Sequence, residues 1–308
     1  MLPPMISTAE SLSVTSDTWS TFGPHLTCRP FVWHGSLVAM TQDRTETSSP
    51  AGVVFLEKEE HLATVRLGTG SLTKQLKEEL LSVLRDLAGN REVRCVVLTG
   101  TDKVFCLGQD LKEHAEALET GPEQAFATLE EHYMPLVGVI TGMEKPVLAA
   151  INGTCAGAGL SLALACDMRI AASSARFLTA FTGIGLSFDS GLSLTLARAV
   201  GAARASELII GNQPFDAEQA LAWGLVGKVV PDDELLAATR ELGSRLAVGP
   251  TRAYAAAKKA LASAWGLSLE QAMKAESAAQ RQLGATKDHA LAVKAFLQKS
   301  APSFTGWD

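Results

Sequence analysis

Two stretches of the chain share one pattern, and no other feature constrains it as tightly. The first is Val104-Phe105-Cys106-Leu107-Gly108-Gln109-Asp110-Leu111. The second starts at Lys145-Pro146-Val147-Leu148 and runs through Asn152-Gly153-Thr154-Cys155-Ala156-Gly157-Ala158-Gly159 to Asp167. Each reads as a buried apolar strand, a small-residue turn and then a helix. Such turns aim backbone N–H groups at one point, and a helix start adds partial positive charge there. Two of them face to face would hold the negative charge that develops on a carbonyl oxygen. Glycine-led turns that only allow close strand-to-helix packing are the plainer alternative.

Size and composition bound what surrounds this pair. The 308 residues suffice for one large domain or two small ones. Apolar residues make up 47% and charged ones only 19%, so a full core can be buried. No apolar run reaches the ~20 residues that span a membrane. A net charge of −6 argues against a nucleic-acid surface, and the basic stretch 252–259 is too sparse to offset it. Five cysteines are an odd number. Cys95, Cys106, Cys155 and Cys166 sit in or beside apolar segments and read as reduced, buried small hydrophobes of a cytoplasmic protein. Their spacing fits no zinc site, and the scattered histidines, His114 and His132 among them, read as surface or packing residues.

Along the chain, residues 1–50 are rich in Ser, Thr and Pro and lack periodicity, so a disordered extension is expected. The segment has neither a basic n-region nor a long h-region of a secretory signal, and Met40 offers a second start. From Val53 the pattern becomes regular. Residues 53–57 and 62–67 alternate as a hairpin around the charged turn 58–60. Helical spacing over 72–87 is followed by a strand at 95–98, a helix over 126–141 and a strand at 146–151. A helix over 159–166, strands at 169–172 and 177–179, and a helix over 191–200 continue the rhythm. After Gly211 the chain reads as helices only, over 217–223, 233–247, 250–265, 268–283 and 287–299.

With the motifs Phe-Cys-Xaa-Gly-Xaa-Asp-Leu, Lys-Pro-Val-Xaa-Ala-Ala-Ile-Asn-Gly and Ala-Gly-Ala-Gly, then Cys166-Asp167 and Leu196-Ala197-Arg198, the chain resembles the crotonase (enoyl-CoA hydratase/isomerase) superfamily from about Val53 to Gly306. The ending from Phe296 to Gly306 is most similar to the phenylacetate-pathway isomerase branch. The resemblance implies an α/β fold, a spiral of repeated ββα units over 51–240, and a helical region over 241–308 that builds a trimer or a dimer of trimers. It implies an acyl-CoA thioester as substrate, with coenzyme A part of that substrate and no separate cofactor or metal.

Transferred residue by residue, the resemblance makes the amides of Gln109 and Ala158 the two oxyanion donors. One such donor is typically worth ~2.7–4 kcal/mol of transition-state stabilisation. It makes Leu107, Gly108, Asp110, Leu111, Thr154, Gly157, Phe181 and Leu186 substrate contacts. The loop Gly68 to Leu72 lacks the Arg-Pro and Asn usual there, so Gly70, Ser71 and Leu72 are expected only as loose CoA contacts. The two glutamates with which hydratases of this family add water would fall at Ser161 and Phe181. Neither Ser nor Phe is a general acid or base at neutral pH.

Asp189, in Gly185-Leu186-Ser187-Phe188-Asp189-Ser190-Gly191, is the candidate for proton transfer. Its apolar neighbours Leu186 and Phe188 would raise its pKa. Asp189 or Ser190 would equally serve as N-cap of the next helix. The family places an active carboxylate here in several isomerases, and a nucleophile in its chlorobenzoyl-CoA dehalogenases, whose companion His and Trp are replaced here by Phe181 and Thr182. A single carboxylate suits a 1,3-proton shift, so an acyl-CoA isomerase is expected. The alternatives are an enoyl-CoA hydratase or a non-catalytic CoA-ester binder. Gly157-Ala158-Gly159 lacks a third glycine at 162, so it is no dinucleotide fingerprint. Gly159 to Ala163 lacks the last glycine of a nucleophile elbow.

Overall fold

The computed structural model describes residues 45–47 and 52–308. The expected extension therefore lies outside the described residues, as does Met40, with one correction. Strand β1 (Thr45–Thr47) falls within 1–50 and pairs antiparallel with β2 (Val54–Glu59). β2 turns into β3 (Leu62–Leu67) through Glu60, whose φ is +50°. The hairpin turn is thus later than expected, because Lys58 and Glu59 still pair with Ala63 and Leu62.

Helix α1 (Lys74–Gly89) follows, started by the Thr73 hydroxyl, which accepts the N–H of Leu76 at 3.2 Å. The chain then coils. The first coil holds β4 (Cys95–Thr99), β5 (Val104–Cys106), α2 (Leu111–Thr120), α3 (Pro122–Phe126) and α4 (Met134–Gly142). The second holds β6 (Val147–Ile151), β7 (Thr154–Ala156) and α5 (Ala158–Ala165). The third holds β8 (Met168–Ala172), β9 (Arg176–Leu178), α6 (Leu192–Val200) and α7 (Ala202–Gly211). A last, shorter passage holds β10 (Phe215–Asp216), α8 (Ala217–Ala222) and β11 (Lys228–Val230).

Each full coil places one strand in each of two sheets. The larger sheet has the order β1-β2-β3-β4-β6-β8-β11, parallel from β3 onward; the smaller is β10-β9-β7-β5. This is the expected spiral of ββα units. Because both faces of the larger sheet are covered, its strands read as unbroken apolar runs. Alternate residues separate cleanly. Val96, Leu98, Val147, Ala149 and Ile151 enter the main core with α1 and α5. Cys95, Val97, Leu148 and Ala150 face the opposite core, which is closed by Leu235, Leu246 and Ala247 of α9 (Leu235–Ala247). The boundary expected at 240/241 thus falls inside a helix that the spiral needs.

The remaining helices are α10 (Thr251–Ser263), α11 (Leu269–Gly284) and α12 (Lys287–Leu297). The chain end returns across the spiral as a strap. Buried Asp288 accepts the N–H of Thr305 at 2.7 Å and of Gly306 at 2.9 Å. The indole N–H of Trp307 donates to the carbonyl of Arg91 at 2.7 Å. Buried Arg94 donates to Thr251 and to the carbonyls of Gly249 and Phe304. Among the described residues no helix is long and apolar enough to cross a membrane.

Candidate active site

Strands β5 and β7 are parallel neighbours, and both end at the same edge of the smaller sheet. Beyond them the two small-residue turns meet. Gly108 has φ +89°, and a Cβ built there would lie 2.9 Å from the nitrogen of Ala158. Only glycine combines that backbone with that approach. Gly159 is needed for a different reason: a Cβ there would fall 2.2 Å from the carbonyl oxygen of Cys106, so α5 could not seat against β5.

Helix α5 begins at Ala158 without a side-chain cap and is buried on all sides. Its first N–H has no acceptor among the described residues, and neither has that of Gln109. The amides expected from the sequence are therefore brought together and left free.

The loop before α1 fixes the first turn from behind. Leu107 donates to the carbonyl of Gly70 at 2.7 Å, Leu72 to that of Gly108 at 2.8 Å, and Asp110 to that of Leu72 at 3.4 Å. The Ser71 hydroxyl donates to Asp110 at 2.6 Å, and Asp110 caps α2 through the N–H groups of Lys112 and Glu113. The Ser71 hydrogen bond, helped by the main-chain N–H of Glu113, holds the Asp110 carboxyl below its ordinary pKa. The side chain of Leu72, in the loop expected to make loose CoA contacts, is fully buried in the main core. Gly70, Ser71 and Asp110 act as scaffold for the turn. Thr154 pairs with Val104 in the sheet and does not line the cavity.

That cavity has a volume of about 140 Å³. Its floor is Gln109, Gly157 and Ala158; its walls include Leu107, Leu111, Phe181, Ile184 and Leu186 from the turns and the segment after β9. Asp189 lines it as well and is the one carboxylate among its lining residues. The side chain accepts a hydrogen bond from the Ser190 hydroxyl at 2.7 Å. Burial raises the Asp189 pKa and that hydrogen bond partly opposes it. Asp189 does not cap α6. The capping position is Gly191, with φ +74° and no side-chain hydrogen bond, and Ser190 also has a positive φ of +53°. The expected N-cap alternative is thereby corrected.

Ser161, where the resemblance puts a hydratase's first glutamate, is fully buried in α5, and its hydroxyl has no partner among the described residues. Phe181, at the second position, lines the cavity. Sequence reasoning missed a third wall, built by α2, α3 and the turn after it. Half-buried His114 lies in this wall, edge-on to Phe126 at 5.4 Å between ring centroids, the packing role among the two expected for it. Tyr133 lies there too, fully buried, with its hydroxyl donating to Gln109 Oε1 at 2.6 Å. The signal for Tyr133 was Pro135. It cannot donate in the helix, so residues 129–133 widen into a π turn in which Met134 reaches back to the carbonyl of Leu129. The four cysteines in the described residues are all buried, and burial pushes the thiols of Cys95, Cys106 and Cys166 up to about 12.

Residues 57–307 match the family model described as enoyl-CoA hydratase/isomerase. A relative from Escherichia coli, 1,2-epoxyphenylacetyl-CoA isomerase, is 39% identical over 238 residues, covering 77% of this chain and 90% of its own. A protein of Rhodobacter capsulatus described as a probable enoyl-CoA hydratase is 39% identical over 266 residues, covering 85% and 97%. The crystal structure of an enoyl-CoA hydratase from Bacillus anthracis superposes with a TM-score of 0.77 at 31% identity, over 82% of this chain and 99% of that one.

Proposed function

Since the chain belongs to the enoyl-CoA hydratase/isomerase family, we propose that it is an acyl-CoA isomerase in which Asp189 alone moves the proton. The observation that carries this reading is a single carboxylate, Asp189, lining the same largely apolar cavity as the two residues with free amides, Gln109 and Ala158. The thioester carbonyl of an unsaturated acyl-CoA sits against the N–H groups of Gln109 and Ala158. Ionised Asp189 removes a proton from one carbon of the allylic system. The charge moves onto the carbonyl oxygen as an enolate, where the two donors and the start of α5 stabilise it. Asp189, now protonated, returns the proton to another carbon. Burial raises its pKa toward the working pH, which helps the same group act first as base and then as acid.

Hydration is disfavoured because it needs a second group to hold and activate water, and the two positions carry Ser161 and Phe181. The likeness to an epoxyphenylacetyl-CoA isomerase and the aromatic wall of Phe126, Tyr133 and Phe181 support a ring-bearing acyl group. The reading invokes no cofactor. Self-association into trimers is also proposed, supported by exposed Leu261, Trp265, Leu269, Met273 and Phe296 on and beside α10 to α12; light scattering of the purified protein tests it.

The decisive experiment offers 3-enoyl-, 2-enoyl- and ring-epoxide CoA esters in deuterated water. Isomerisation should exceed hydration. Rapid hydration of crotonyl-CoA without isomerisation of any ester would overturn the reading in favour of a hydratase, and binding without turnover would favour a CoA-ester binder.

A further inference from the structure

Lys77 of α1 is 2% exposed, yet it makes no ion pair among the described residues. Its ammonium donates to Gln109 Oε1 at 3.0 Å and to the Thr128 hydroxyl at 2.6 Å, and it lies 5.2 Å from the centre of the Tyr133 ring. Glu113, Asp110 and Glu78 act on it only from further away, and Lys74 opposes them. His132 stands behind Thr128, 3.1 Å from its hydroxyl, and Glu78 stands 3.8 Å beyond the other ring nitrogen. Burial dominates and lowers the Lys77 pKa.

A cation held this way is a poor stabiliser. Removing an ammonium from water costs more than neutral partners return, and an apolar side chain of similar length would pack at least as well. What the arrangement does is fasten one side chain. Gln109 Oε1 accepts from both Lys77 and Tyr133, which occupies its lone pairs and fixes the residue whose main-chain N–H faces the cavity. The same geometry places a positive charge one glutamine side chain away from the point where the enolate oxygen forms.

We propose that Lys77 is a positioning residue for the reaction: through Gln109 and Tyr133 it holds the amide donor in register, and its charge favours the enolate over the neutral thioester. This rests on the assignment of Gln109 and Ala158 as carbonyl donors. The cation is outside the cavity and touches no substrate atom; its effect appears only as negative charge develops.

The test compares two CoA esters on the full chain: acetoacetyl-CoA, whose acidic methylene yields an enolate that ultraviolet absorption reads, and butyryl-CoA, which cannot form a comparable anion. Lys77→Met should weaken acetoacetyl-CoA about tenfold or more and leave butyryl-CoA within about twofold, while thermal stability is kept or rises. Lys77→Arg should restore most of the preference. Equal weakening of both esters, or an unchanged preference, overturns the inference. If Lys77→Met does not fold, Gln109→Leu keeps the main-chain N–H and removes the side-chain acceptor shared by the ammonium and the Tyr133 hydroxyl. It should lose the same preference, and retention overturns the inference. A wild-type protein without any preference for acetoacetyl-CoA would instead remove the amide assignment itself.

Discussion

At the scale of single residues, the proposed mechanism is tested at Asp189 and Gly108. Burial gives the Asp189 carboxyl a higher pKa in the folded chain than in the unfolded one. Folding is therefore favoured as pH falls through that raised value and loses this contribution as pH rises past it. Asp189→Asn carries no charge, so its melting temperature near neutral pH should equal or exceed that of the wild type. Turnover should fall ~10²–10⁴-fold, as for loss of a positioned base. Calorimetry and steady-state kinetics on one preparation check both. For the wild type, kcat/KM should climb with pH to a plateau set by the same group; a profile flat well into the acid range would exclude Asp189 as the base. Gly108→Ala acts on the other partner of the reaction. Its methyl group would meet the nitrogen of Ala158 at 2.9 Å. Strain at the positive φ should cost ~1–2 kcal/mol in chemical denaturation. Obstruction of one donor should cost ~10²–10³-fold in kcat, measured on the best ester of the panel.

At the scale of elements, the strands and turns were legible and the wall opposite them was not. Residues 95–98 and 146–151 are apolar throughout because both faces of their sheet are covered, and that leaves a plain mark in the sequence. Gly108, Gly157 and Gly159 mark the turns for equally direct steric reasons. The helix expected over 126–141 is really α3, a π turn and α4 in succession, starting at Pro122. Helical periodicity tolerates one extra residue poorly, so Tyr133 and Thr128 could not be assigned a face. The network of Lys77, Gln109 and Tyr133 joins residues far apart in sequence, and no local pattern predicts it. Helix α7 went unread because its apolar Leu208 and Ile209 are crowded at one end. A second element-scale link joins the helical tail to the spiral. Lys258 of α10 pairs with half-buried Asp167 at 2.9 Å and donates to the carbonyl of Ile140 at 2.8 Å. Burial raises the Asp167 pKa, and Lys258 counters it. Lys258→Met should leave that carboxylate unpaired and cost ~1–3 kcal/mol by urea denaturation, less than for a fully buried pair because both groups keep some solvent. The loss should shrink as the pH is lowered and Asp167 takes up a proton.

At the scale of the whole molecule, the strap at the chain end closes the spiral on itself. Removing residues 304–308 would strip Asp288 of the N–H groups of Thr305 and Gly306 and take from Arg94 one carbonyl partner. Buried groups left unsatisfied cost ~1–3 kcal/mol each, so the truncated chain should unfold several degrees lower in a thermal scan. An unchanged midpoint would mean that the strap lies on the molecule without holding it.

The proposed donors, Gln109 and Ala158, ride at the ends of two adjacent parallel strands, β5 and β7. Their separation is framed by the spacing of hydrogen-bonded strands, ~4.8 Å, and trimmed by the turns that follow Cys106 and Ala156. On the proposed reading the sheet frames the anion cradle, and the identity of the reaction is written on the more replaceable surfaces around it. Drift at Asp189, Ser161 or Phe181 can exchange one transformation for another while the grip on the thioester stays where the sheet put it.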